Sequence, residues 1–324
     1  RDLFRCLGKS VCLHRRHRFH VVHCRSHTPA IIGILMKKVF GVKFIFDMRG
    51  WWIDEKFESG HWDRWVFKLA YYILKWLEYQ FLIYSDQVVV LTQATREELL
   101  KSFPDLEEKI TVIPTCVDFK VFGKFNYRAR NHIRSSLGIS QDTQVLAYSG
   151  SFGGNYDIEN LVRLFQVFLN CHPSGQFIVL SKTDPELISD MLDSHAGIPG
   201  ERILLMSVEY REVHEYLSAA DFGVILYQDG WSLLGRSPTK LGEYWACGLS
   251  VLGQRAVGDL SHLEKVYPYA LSLFDNFDEE SLTEAMQKMP SDRVKIKLKQ
   301  AAEEYFGINN GVHSYQGIYS TLGL

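Results

Sequence analysis

The chain has 324 residues, 46% hydrophobic and 23% charged, with a formal net charge of −2 at pH 7. A chain this long outgrows one ordinary core and points to two domains. Its composition excludes a disordered polypeptide, and its near-neutral charge excludes a general nucleic-acid binder.

The charge is unevenly spread. Residues 1–50 hold eleven Lys and Arg (Arg1, Arg5, Lys9, Arg15, Arg16, Arg18, Arg25, Lys37, Lys38, Lys43, Arg49) against Asp2 and Asp47. Such an end suits an anionic membrane or an anionic substrate, or else a solvated face balanced by acidic loops elsewhere. Six cysteines (Cys6, Cys12, Cys24, Cys116, Cys171, Cys247) form no CxxC pair, which points to reduced thiols in a cytoplasmic protein. No signal peptide is visible. The longest apolar stretch, Trp65–Tyr84, is broken by Lys68, Lys75 and Glu78 and makes a poor membrane span. The first residue is Arg rather than Met, so the expected start lies upstream.

In chain order, "FHVVHC" (Phe19–Cys24) is a short strand. "TPAIIGILMKKVFG" is a helix, with Thr28 as N-cap, Pro29 in the first turn and Gly41 as the stop. "KFIFDMRG" is a second strand, and a long aromatic-rich helix follows over roughly Trp62–Tyr84. "QVVVLT" is a third strand whose Thr92 caps "QATREELLKSF", and "KITVIP" is a fourth. The second half repeats the plan: strands "QVLAYSG", "QFIVLS", "RILLMS", "DFGVILY" and "SVLGQ" alternate with helices "DIENLVRLFQVFLN", "PELISDMLDSH", "REVHEYLSAA" and "SPTKLGEYWACG". Apolar strands between amphipathic helices mean parallel sheets covered on both faces, hence two doubly wound domains. The divide falls in the polar, weakly patterned stretch 118–140, giving domains 1–125 and 126–305. A doubly wound domain opens with a strand and a glycine-rich loop. Residues 1–18 read as a helix and basic connector, so the first domain is expected to lack its opening strands.

Ligands of open parallel sheets bind beyond the carboxyl ends of the strands. "AYSGSFGGNYDIEN" sets Gly150, Gly153 and Gly154 before a helix, where backbone can approach a phosphate or sugar, although a plain tight turn reads the same way. In "SPTKLGEYWACG", Ser237 is the expected N-cap and Pro238 the first helical residue. Arg236, Lys240 and the helix N-terminus then make an anion site fit for a diphosphate. Glu243, one turn further on, can accept two hydroxyls of a diol such as ribose. The alternative is a Lys–Glu pair on a solvent face, which fits poorly with the apolar "YWACG" that follows. "FDMRGWWIDE" gathers Asp47, Arg49, Asp54 and Glu55 at one strand end, and "HCRSH" brings His23, Arg25 and His27 to the neighbouring one. Both deliver ionisable groups to one rim. Five of seven tryptophans (Trp51, Trp52, Trp62, Trp65, Trp76) crowd one region, as core or as a lipid-facing boundary.

"SPTKLGEYWACGLSVL" resembles the "SPxKxxEYxAxGxPV" signature of bacterial family-4 glycosyltransferases with the GT-B fold. "VIPTCVD" is similar to their "VIPNGVD", "HCRSHTPAIIG" and "FDMRGWWIDE" resemble first-domain motifs of a subgroup that builds surface polysaccharides, and "AYSGSFGGNYDIENL" resembles the start of their donor domain, here 126–305. The similarity runs from about residue 19 to the C-terminus. It implies two Rossmann-like domains facing a cleft, with the C-terminal helix 306–324 packing back on the first. It implies a retaining transferase using a UDP- or GDP-sugar, with no cofactor and no essential metal. Lys240 and Arg236 would hold the diphosphate with Ser237 and the helix start, Glu243 the ribose, and the loop at Val208–Glu209 the nucleobase. Asp47, Arg49 and His23 would come from the acceptor side, and the acceptor would be a glycan or lipid-linked glycan at the inner face of the membrane.

The chain departs from the resemblance in places. Many relatives carry a glutamate eight residues before the ribose-binding one, and here that position is Gly235. Backbone N–H groups at Leu234–Arg236 are the substitute on hand. The hinge-side "NG" is Thr115-Cys116, and the Pro of "GxPV" is Ser250. A non-catalytic nucleotide-sugar-binding subunit and a sugar-nucleotide epimerase are the competing functions.

Overall fold

The computed structural model describes residues 2–59, 65–123, 125, 127–152, 157–184, 186, 188, 199–289 and 294–324. Two compact units emerge. One comprises Arg1–Pro114, Asp229–Ser237 and Gly311–Leu324; the other comprises Thr115–Gln228 and Pro238–Asn310.

The first unit contains α1 (Asp2–His17), β1 (Val21–Arg25), α2 (His27–Phe40), β2 (Lys43–Asp47), α3 (Trp52–Glu58), α4 (Trp65–Tyr84), β3 (Gln87–Val90), α5 (Gln93–Ser102) and β4 (Ile110–Val112). Its strands are parallel in the order β1-β2-β3-β4. With right-handed crossovers, an order that never reverses puts every connecting helix on one face. On that face Ala30 and Ile34 of α2, Phe81 and Leu82 of α4, and Leu99 of α5 pack over Phe44, Phe46, Val88 and Val90. Side chains alternate along a strand, so Ile45 and Val89 point the other way, where with Ile113 they meet Ile318 of the C-terminal helix, Ile308–Thr321. Each such aliphatic residue contributes roughly 1.5–3 kcal/mol on burial.

Local chemistry sets the element ends. Thr92 caps α5, its side chain accepting from the Thr95 N–H at 3.1 Å. α2 begins at His27, so Thr28 lies inside the first turn instead of capping it. Ser26, at φ 74° and with its N–H on the Asp47 carbonyl at 2.7 Å, makes the break earlier. The start expected for the long helix at Trp62 lies outside the described residues.

The second unit contains α6 (Phe119–Phe122), α7 (Tyr127–Ser136), β5 (Val145–Ser149), α8 (Ile158–Cys171), β6 (Gln176–Leu180), β7 (Ile203–Met206), α9 (Val213–Ala219), β8 (Phe222–Ile225), α10 (Thr239–Ala246), β9 (Ser250–Gln254), α11 (Leu260–Val266), β10 (Leu271–Phe274), α12 (Glu279–Gln287) and α13 (Lys295–Phe306). The order is β10-β9-β8-β5-β6-β7, all parallel. This is the dinucleotide-fold order 3-2-1-4-5-6. The direction of winding reverses between β5 and β8, and a crevice opens above such a switch point. Asp157 caps α8 through the Asn160 N–H at 3.1 Å. Most of the helix expected at "PELISDMLDSH" lies outside the described residues.

The stretch 118–140, weakly patterned in sequence, holds α7. Arg130 and Arg134 of α7 are buried and reach into the 218–221 turn. Arg130 donates to the carbonyls of Ala219 (3.0 Å) and Ala220 (2.7 Å) and pairs with Asp221; Arg134 donates to the Ala219 carbonyl at 2.9 Å. Asp221 also accepts from the Val145 N–H at 2.9 Å, so these arginines seat the first strand of the sheet.

Candidate active site

The switch point of the second unit carries the densest chemistry. α10 starts at Thr239, with Pro238 in the cap position and no side-chain cap bond. Ser237 is therefore not the N-cap expected from sequence, and Pro238 is not the first helical residue. Pro238 is extended (φ −66°, ψ 117°), and a residue before proline is itself driven out of the helical region. From Lys240 to Ala246 the helix is buried, which settles its central position.

Lys240 is 8% exposed, with Nζ 4.3 Å from the centre of the Tyr148 ring and 6.0 Å from that of Tyr227. At Gly150, just beyond the end of β5, an added Cβ would lie 3.1 Å from Lys240 Nζ. Gly150 also holds φ 147°, a backbone conformation that favours glycine. Burial pushes the Lys240 pKa down to about 7, and Glu243 offsets only part of that. Burial likewise pushes Glu243 up, partly countered by the Tyr210 hydroxyl, which donates to Oε1 at 3.4 Å, and by Lys240. The result is an amine and a carboxyl on adjacent turns whose charged forms burial disfavours, a pattern that recurs at functional sites.

Beside them is a cavity of about 230 Å³ lined by Ser149, Gly150, Ser181, Val208, Tyr210 and Val213 among others. Val208 is thus on the cavity wall, while Glu209 is exposed, with Oε1 3.6 Å from Lys182 Nζ. Gly153 and Gly154 lie outside the described residues. The structure brings Lys240, Glu243, Gly150 and Val208 to one end of one sheet. Sequence reasoning missed Tyr148, Tyr210 and Tyr227. Tyr148 was within reach, because it lies at the carboxyl end of β5, where ligands of parallel sheets bind.

The other predicted residues belong to the first unit. Asp47 is 3% exposed; its Oδ2 accepts from Tyr315 at 3.1 Å and lies 3.8 Å from His23 Nε2. His23 Nδ1 is 2.8 Å from the Tyr319 hydroxyl. His23 and Asp47 thus come together, tied to the C-terminal helix. Arg49 follows two residues later at φ 59° and is half-buried. Asp54 and His27, expected on the same rim, sit instead in a buried chain of polar contacts. His27 Nε2 is 2.7 Å from Glu78, Lys75 bridges Glu78 (2.5 Å) and Asp54 (2.9 Å), and Tyr71 donates to Asp54 at 2.8 Å.

Arg236 and Gly235 are also in the first unit. Arg236 Nη2 pairs with Glu55 at 3.2 Å. Gly235 lies flat against Gly50 and Trp51: a Cβ there would be 2.6 Å from Trp51 Cδ1 and 3.1 Å from Gly50 Cα. The backbone N–H of Arg236 donates to the Leu233 carbonyl at 3.0 Å, and the Leu234 carbonyl accepts from Thr92 at 2.8 Å. The Arg236 N–H is therefore not available as a substitute for the missing acid, and the space an acid's side chain would fill is taken by Trp51.

The Glycosyltransferase Family 4 model matches residues 3–121. No curated protein matches the chain by sequence. Among solved structures, sucrose-phosphate synthase from Thermosynechococcus elongatus aligns with TM-score 0.77 and 17% identity, over 99% of this chain and 78% of its own. Anabaena HepE in complex with UDP-glucose aligns with TM-score 0.69 and 15% identity, over 98% and 81%. WaaG, a glycosyltransferase involved in lipopolysaccharide biosynthesis, aligns with TM-score 0.59 and 15% identity, over 94% and 90%. At these identities the structures establish the fold. The fold they share is GT-B, and residues 3–121 of this chain match the glycosyltransferase family-4 model.

Proposed function

We propose that the protein is a retaining glycosyltransferase that moves a sugar from a UDP- or GDP-sugar to a glycan or lipid-linked glycan of a surface polysaccharide, in the cytoplasm at the inner face of the membrane and without an essential metal. The observation that carries this is the buried Lys240, set against Gly150 above the switch point with Glu243 one turn on. A diphosphate matches the charge of this buried ammonium, and a ribose offers a diol to Glu243. As the sugar–phosphate bond breaks, charge accumulates on the departing diphosphate. An ammonium already desolvated at that point stabilises it without reorganisation. Val208 and the cavity beside it are proposed to take the nucleobase, and His23, Asp47 and Arg49 to serve the acceptor. The neighbour bound to UDP-glucose supports a uridine donor.

The test is calorimetric titration with UDP, GDP and their common sugars, followed by transfer assays on Lys240→Ala and Glu243→Ala. The expected result is binding of one nucleotide class and loss of turnover in both variants. Unaltered turnover in both would sink the site. Nucleotide binding without turnover in the unmodified chain would select a binding subunit, the second function that the packing at Gly235 favours. Interconversion of free UDP-sugars without acceptor would select an epimerase.

A further inference from the structure

α4 has its polarity inside out. Two of its three ionised groups, Lys75 and Glu78, turn inward to Asp54 and His27, and the third, Lys68, is exposed near its start. Its outward face carries Leu69, Tyr72, Ile73, Trp76, Tyr79 and Ile83, which are 40–69% exposed. Their spacing of three and four residues makes one continuous stripe along the helix. Contiguous apolar exposure on this scale marks a contact surface. The residue types match a membrane–water boundary, where the ring bodies of Trp and Tyr favour the headgroup level.

The helices alongside supply the matching charge. α2 packs against both α4 and α1, and Lys38 Nζ sits 4.0 Å over the Tyr84 ring at the end of the stripe. Across residues 2–46 there are nine Lys and Arg and one carboxylate, Asp2. Lys37 and Lys43 are committed to Asp86. Lys9, Arg15, Arg16 and Lys38 are exposed, and α1 interleaves them with exposed Phe4 and Leu13. Two copies meeting through this layer would bring like charges together, whereas an anionic bilayer is complementary to it. No described helix is long and apolar enough to cross a membrane, so the contact lies along the surface.

We infer that the α1–α2–α4 layer of the first unit seats on an anionic lipid bilayer, with the α4 stripe entering the headgroup region and the basic residues meeting lipid phosphates. This deepens the proposed function, because a surface-seated transferase suits a lipid-linked acceptor. It is tested by binding rather than by turnover.

The full chain is sedimented with vesicles of phosphatidylcholine alone and of phosphatidylcholine with phosphatidylglycerol. Binding is expected to the anionic vesicles and to weaken with salt. Trp76→Ser, and the triple change Tyr72→Ser/Ile73→Ser/Trp76→Ser, are expected to lower the partition coefficient progressively, the triple change by about tenfold or more. Lys9→Gln/Arg15→Gln/Arg16→Gln is expected to reduce the preference for phosphatidylglycerol. All variants should keep the circular dichroism spectrum and nucleotide affinity of the parent. Equal partitioning of the triple variant and the parent would overturn the inference. So would a dimer in analytical ultracentrifugation that the triple variant makes monomeric, without vesicle binding, since that identifies a second copy as the occupant. If the chain proves not to transfer sugar, vesicle binding is unaffected, and the two failures stay distinct.

Discussion

Lys75 and Lys240 each precede a glutamate by three residues on a helix, and the two pairs do opposite things. Burial pushes Lys75 down, but Glu78 and Asp54 more than offset it, and its pKa ends above that of an ordinary lysine. Burial pushes Glu78 up, but His27 and Lys75 outweigh that and hold it below the ordinary carboxylate range. At Lys240 and Glu243 burial wins on both sides. The difference lies in the surroundings. Glu78 is 2.5 Å from Lys75 and 2.7 Å from His27, whereas the hydrogen bond to Glu243 comes from Tyr210 at 3.4 Å. One pair is closed and structural. The other is held at the edge of ionisation, where a ligand's charge has the most to give.

The largest expected effect comes from breaking the closed pair. Glu78→Ala leaves Lys75 and His27 without their shared carboxylate and should cost about 3–5 kcal/mol of stability by chemical denaturation. A loss below about 1 kcal/mol would mean that the network is dispensable. Lys240→Met should behave in the opposite way. Transfer should fall about 100-fold or more, while the thermal midpoint holds or rises, because a desolvated ammonium has been removed. A drop in stability like that of Glu78→Ala would erase the contrast.

Titration sharpens it further. With the Lys240 pKa about 7 in the free protein, diphosphate binding should be level below pH 7. Above that it should weaken by up to about tenfold per pH unit, since each binding event must take up a proton. Calorimetry at pH 8 in buffers of different ionisation enthalpy reads that uptake directly. The stability of the free protein runs the other way: from about pH 7 toward the ordinary lysine value of 10.5 the unfolded chain binds the extra proton, so stability rises with pH. Lys240→Met should abolish both trends. The smallest effect is expected from Tyr210→Phe, which removes one long hydrogen bond from Glu243 and should weaken nucleotide binding by about threefold, within the 0.5–1.5 kcal/mol of an ordinary hydrogen bond.

Much of this was legible beforehand, for identifiable reasons. Strands such as "KFIFD" and "QVVV" are apolar on both faces because both faces are covered, and that signal is local. The switch-point order is not local, since nothing in "QVLAYS" says that it will lie beside Phe222–Ile225 rather than at an edge. Lys240, Glu243 and Gly150 were legible because their chemistry is carried by residue type and spacing. The sign of their pKa shifts was not, because Lys75–Glu78 has the same spacing. The stretch holding α7 is weakly patterned in sequence because its buried residues are arginines, which hydropathy counts as exposed; the carbonyls of the 218–221 turn, the Asp221 carboxylate and the Ser140 carbonyl make their burial tolerable. Gly235 read as a missing acid, and the structure turns it into a packing requirement against Gly50 and Trp51.

The division of the chain carries a practical consequence. The polypeptide passes from one unit to the other after Pro114, Gln228, Ser237 and Asn310. No single cut therefore releases an intact half. A fragment ending at Pro114 lacks Tyr315 and Ile318, leaving Ile45, Val89 and Ile113 open to water and Asp47 without its tyrosine. Exchanging the second unit with that of another GT-B fold by one crossover would strand 229–237 with foreign neighbours. A working chimera needs three joined segments on one side and two on the other, so recombination must respect four junctions at once.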